Sequence, residues 1–211
     1  MRVLCIGAHV DDIELGCGGT LHKHCKRQKD WVVDCLVLSL PVDVKAIGVA
    51  QQSLALLGVA STSVCNLPVD CLAASRQSVW DHIWSKIEET APTRIITVSS
   101  DLHQDHETVY KETMRASVGV NQVLTYDIAI SHRAPFSGTY YEALAAEDLD
   151  AKVSALELYS DCTVSSGRRT VKYGDKIYMQ STAVRAQATA VGSSVRDSLA
   201  EVFSVERFFV E

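Results

Sequence analysis

The chain is poor in proline, with 4 in 211 residues, and none of its 7 cysteines forms a C-x-x-C pair. It also has no apolar run near the roughly 18–20 residues that a membrane span requires. Basic charge is not in excess: 20 Lys+Arg stand against 26 Asp+Glu, a net charge of −6. Each absence excludes a class. The odd, scattered cysteines make a poor disulfide framework. The acidic balance disfavours a nucleic-acid backbone or an anionic membrane as partner. The start, MRVLCIGAHVDDIE, meets acids too early to read as a signal peptide. The apolar share of 47% with 22% charged residues is that of a folded domain, not a disordered chain. The expectation is one cytoplasmic domain over residues 1–211, with its thiols reduced and mostly packed as small hydrophobes. Oligomeric state is left open, a homo-oligomer included.

What is present is an alternation of strands and helices. Arg2–Gly7, Trp31–Leu40, Thr62–Leu67 and Arg94–Ser99 read as short apolar strands. Glu14–Gln28, Val44–Leu57 and Ser75–Thr90 read as helices, the second stopped by Gly58 and the third by Pro92. Further on, Val123–Ile130 and Val202–Val210 read as strands, Leu149–Tyr159 and Gln180–Val191 as helices, and Ser165–Tyr173 as a loop. Continuous apolar strands alternating with helices imply an α/β fold, a three-layer sandwich on a mostly parallel sheet. No internal repeat and no linker interrupts it.

Chemistry concentrates in two places, each directly after a strand. The first holds His9, Asp11, Asp12 and Glu14. The second holds Asp101, His103, Asp105 and His106. In open α/β sheets, ligands bind at the carboxyl ends of strands, so both clusters are expected in one crevice. Two imidazoles and one carboxylate suit zinc, whose catalytic sites use three protein ligands and keep one position open. A carboxylate outside that set could take a proton from water, and a further His could stabilise an oxyanion. The plainer alternative is an N-cap with acids placed favourably on a helix dipole. Gly16, Gly18 and Gly19 miss the G-x-G-x-x-G spacing and point to close helix packing rather than nucleotide binding.

The stretch AHVDDIELGCGGTL followed by His103-Gln104-Asp105-His106 resembles the LmbE-like deacetylases, the family that includes the PIG-L N-acetylglucosaminyl deacetylases. LLGV at 56–59 and AEVF at 200–203 are weaker matches. The resemblance implies a Rossmann-like fold and a zinc-dependent hydrolase that removes an N-acetyl group from an amino sugar or sugar conjugate. It implies His9, Asp12 and His106 as metal ligands, with iron(II) as an alternative to zinc. It implies Asp11 as general base and His103 as oxyanion stabiliser. Around these, Glu14, Asp105 and Asp101 are supporting candidates, with Asp101 read as a hydrogen-bond partner of His103. His132 and Arg133, beside Phe136, Tyr140 and Tyr141, are candidates for sugar contact. Two departures stand out. Val10 replaces the family proline, and KAIGVAQQSLALLGV lacks the family's Arg and Glu, leaving Lys45 as the nearest cation. The alternatives are a non-sugar N-acyl substrate or a non-catalytic sugar-binding module.

Overall fold

The protein is described from a computed structural model, which covers residues 1–128, 136–166 and 169–209, with no side-chain description at 165, 166 and 169. The order is β1 (Arg2–Gly7), α1 (Asp12–His22), β2 (Val32–Leu40), α2 (Lys45–Leu56), β3 (Ser61–Pro68), α3 (Arg76–Thr90), β4 (Arg94–Val98), α4 (Gln104–Ala116) and β5 (Gln122–Tyr126). There follow β6 (Tyr140–Ala143), α5 (Ala146–Glu157), β7 (Thr163–Ser166), β8 (Arg169–Lys172), α6 (Ser181–Ser194) and β9 (Ala200–Phe208).

Seven strands form one sheet in the order β3-β2-β1-β4-β5-β9-β6. The first five are parallel, whereas β9 runs antiparallel to both β5 and β6. Helices α1, α2, α5 and α6 pack together, and α3 packs on α4. The central strands are buried on both faces, which is why β1 and β4 read as unbroken apolar runs. The chain moves outward from β1 to β3 and then returns to place β4 on the other side of β1. That reversal is a topological switch point, where the carboxyl ends of neighbouring strands diverge and leave a crevice.

Two glycines have stated reasons. Gly58 ends α2 at φ +93°, a conformation that a Cβ would strain. Gly16 lies against the ring of Tyr126, and a Cβ there would sit 2.0 Å from Cδ2. This supports the packing reading of the glycine cluster. All seven cysteines are free, and Cys5, Cys17, Cys35 and Cys162 are buried as core. No helix among the described residues is long and apolar enough to cross a membrane.

Three sequence expectations change. Helix α1 opens at Asp12, two residues early, and passes after His22 into a wider turn over Lys23–Arg27. The loop expected over Ser165–Tyr173 contains β8 and the end of β7, which pair as an antiparallel hairpin. β-Branched Thr163, Val164, Thr170 and Val171 favour that pairing. Strand β6 was not expected, because four residues are too few for alternation to show.

Candidate metal centre and active site

The site begins where β1 stops. The chain turns through residues 8–11 and starts α1 at Asp12. Asp12 ties this turn down: its Oδ2 accepts the backbone N–H groups of Ala8 (2.9 Å) and His9 (2.8 Å). Tyr159, from the end of α5, donates its hydroxyl to the carbonyl of Val10. The same hydroxyl oxygen lies 2.8 Å from Glu14 Oε1, so its single proton is shared between the two acceptors, and Ser53 donates to Glu14 Oε1 as well. Glu14 is therefore a buried brace for the turn, not a partner of any ring in the site. Burial pushes its carboxyl up to about 8, against the pull of Ser53 and Tyr159. Val10, where the family has proline, is buried at 2% exposure and held through its carbonyl.

The second cluster follows β4. Asp101 Oδ1 accepts the backbone N–H of His103 at 2.7 Å, and its Oδ2 lies 2.6 Å from His106 Nδ1. This corrects the expectation that Asp101 serves the His103 ring: its side chain orients His106. His103 caps α4, its ring Nδ1 accepting from the N–H of Asp105 at 3.2 Å. A neutral ring that accepts at Nδ1 carries its proton on Nε2. Burial, then the neighbouring His9 and His106, hold His103 below the usual histidine range. Asp105 reaches across to His9 Nε2 at 3.3 Å and accepts the N–H groups of Asp70 (2.7 Å) and Leu72 (3.0 Å). One carboxylate thus links three loops of the crevice.

The result is a convergence of three donors. His9 Nδ1 and His106 Nε2 are 3.3 Å apart. Each lies 3.5 Å from an oxygen of Asp12. A tetrahedron with metal–ligand bonds of about 2.0–2.1 Å has edges of about 3.3 Å. The spacing and the donor chemistry therefore fit zinc, and His9, Asp12 and His106 form a possible metal-binding group. Protonation behaviour agrees. Burial opposes charge on His9, yet Asp12 and Asp105 raise it to about 10. Burial likewise opposes charge on His106, yet Asp12 and Asp101 raise it to about 9. The carboxylates create a demand for positive charge that a divalent cation meets in place of two protons. His9, Asp70 and His103 form an overlapping group, but its Asp70 is exposed.

Asp11 lies beside these donors on the wall of a cavity of about 270 Å³. It is 6% exposed. Burial and then Asp12 push its carboxyl up to about 6, opposed by His9 and Lys176. His103 lines the same cavity. The structure therefore brings together His9, Asp11, Asp12, His103 and His106. His132 and Arg133 lie outside the described residues. Lys45 is exposed at the start of α2 and does not line the cavity. Sequence reasoning missed Asp70, Tyr173, Lys176 and Tyr178, all on the cavity wall. The segment YGDKIYM did carry a cation between aromatics, but no periodicity marked it as a wall.

The chain thus pairs a mostly parallel α/β sheet with a His/Asp donor triad at its switch point. No protein-family model matches the sequence. The sequence is 28% identical over 169 residues to the uncharacterized deacetylase YaiS of Escherichia coli K12, covering 74% of this chain and 88% of that protein. Solved structures share the fold. The zinc-inhibited form of teicoplanin deacetylase Orf2 superposes with a TM-score of 0.76 at 15% identity, over 97% of both chains. N,N'-diacetylchitobiose deacetylase from Pyrococcus horikoshii gives 0.70 at 17% identity, over 97% of this chain and 83% of its own. GalB, the 4-carboxy-2-hydroxymuconate hydratase of Pseudomonas putida KT2440, gives 0.79 at 12% identity, over 100% of this chain and 98% of its own. The fold alone therefore does not choose the chemistry. The two ordered motifs resemble those of the LmbE-like deacetylases, and the likeness to YaiS and the shared fold agree with that resemblance.

Proposed function

We propose that the protein is a metal-dependent hydrolase that removes an acetyl group from a small N-acetylated amino sugar or sugar conjugate. The observation that carries this reading is the 3.3–3.5 Å convergence of His9, Asp12 and His106 next to Asp11 and His103. His9, Asp12 and His106 would hold zinc or iron(II). Such a cation lowers the pKa of water and polarises a carbonyl oxygen.

The protein's own residues supply the rest. Asp11 takes the proton of the attacking water and holds it until the leaving amine needs it. His103 presents Nε2–H to the carbonyl oxygen as that oxygen gains negative charge. Asp101 and Asp105 fix the two ligand rings. The balance is amide plus water giving acetate plus amine. The cavity, near the low end for small-molecule sites, has room for a compact N-acetylated sugar group.

The test compares wild type with Asp11→Asn. The variant is expected to bind zinc at the wild-type stoichiometry and to lose about 10²–10⁴-fold in acetate release. Undiminished hydrolysis would remove Asp11 from the reaction. Assaying N-acetylglucosamine conjugates against simple N-acylamino compounds separates the sugar reading from a non-sugar amide.

A further inference from the structure

The cavity has a cation of its own, and nothing in the reaction above uses it. Lys176 sits between two short 3-10 turns, Tyr173–Asp175 and Ile177–Met179. It is half-buried and is the one Lys or Arg among the described residues of the cavity wall. Its ammonium lies 5.7 Å from the ring centre of Tyr173 and 5.2 Å from that of Tyr178. Both distances fall within cation–π range. Aromatic faces hold an ammonium in place without neutralising it. Among the described residues, no carboxylate comes within ion-pair distance of this nitrogen, although the other face of the cavity is acidic.

That arrangement is selective. A half-buried ammonium braced by two rings is partly stripped of water, and a ligand anion restores what was lost. Asp12 is already engaged by the backbone, His9 and His106. Among the described residues, the cationic charge that this wall offers a ligand is that of Lys176. The cation comes from the segment after β8, not from α2, where the family arginine would stand.

We propose that Lys176, seated between Tyr173 and Tyr178, is a specificity-determining residue that recognises an anionic group, a carboxylate or a phosphate, on the N-acylated substrate. The reaction at the other end of the cavity rests on the deacetylase reading, whereas the binding preference does not.

Binding is therefore measured separately from turnover. Zinc-loaded Asp11→Asn protein is titrated calorimetrically with N-acetylglucosamine, N-acetylmuramic acid and N-acetylglucosamine 6-phosphate. At least one anionic probe is expected to bind about tenfold or more tightly than the neutral one, and the better of the two identifies carboxylate or phosphate. Adding Lys176→Met is expected to collapse that preference to about twofold or less, and Lys176→Arg to keep part of it. Zinc stoichiometry reports that each variant is folded. Equal affinities for all three probes, no binding of either anion, or a preference that survives Lys176→Met would overturn the proposal. In the Asp11-containing enzyme the same collapse should fall on KM. A change confined to kcat would mean that Lys176 acts on Asp11 instead, and would also overturn it. Intact binding preference without acetate release from any probe would sink the hydrolase reading and leave the Lys176 assignment standing.

Discussion

Asp101 Oδ2 lies 2.6 Å from Nδ1 of His106, so the other ring nitrogen, Nε2, is turned toward Asp12 and His9. A carboxylate behind a ligand histidine fixes its tautomer and raises its basicity, and losing it typically costs about 10–100-fold in metal affinity. Asp101→Asn is accordingly expected to weaken zinc binding by that factor, with the fold retained. Competition against a chelator of known affinity measures it. An unchanged affinity would mean that His106 is not a ligand.

Glu14 makes stability depend on pH. Its folded-state carboxyl is raised by burial from 4.5 to about 8. Folding thus favours the neutral acid. The contribution is complete below the unfolded pKa and is lost as pH rises through about 8. Thermal midpoints should fall between pH about 5 and about 8.5, and Glu14→Gln should flatten that fall. Parallel curves for the two proteins would show that Glu14 titrates normally.

Tyr159 holds the metal-bearing turn from outside. Tyr159→Phe leaves the buried Val10 carbonyl without this donor, while Glu14 Oε1 keeps Ser53. Unsatisfied buried groups cost about 1–3 kcal/mol each. Urea denaturation should register at least that loss. A midpoint equal to wild type would show that the turn stands by itself.

Gly16→Ala tests the packing of α1 on the sheet. The new methyl would meet the fully buried Tyr126, whose hydroxyl donates to the Ile6 carbonyl at 2.9 Å. Overpacking of this kind costs about 1–3 kcal/mol. Denaturant midpoints check it, and a change under about 0.5 kcal/mol would indicate slack at this contact.

The parts legible in the sequence were those written locally. The run VLCI and the His and Asp residues after it announced a buried strand and its chemistry together. Partnerships across the fold were not legible, because spacing carries no trace of them. Asp105 meets His9 from 96 residues away, and Tyr159 reaches Val10 from 149. Asp101 was paired with the His103 ring, but its carboxylate takes that residue's backbone N–H and meets the ring of His106 instead. Lys176 escaped notice because short 3-10 turns have no hydrophobic period.

The most direct test of the account is acetate release by wild-type protein loaded with one equivalent of zinc or iron(II), over a panel of neutral and anionic N-acetyl amino sugars. The account predicts stoichiometric acetate and free amine from at least one of them, lost on chelation and restored by metal. A protein that carries its full equivalent of metal at the His9–Asp12–His106 centre and releases no acetate from any of them would contradict it.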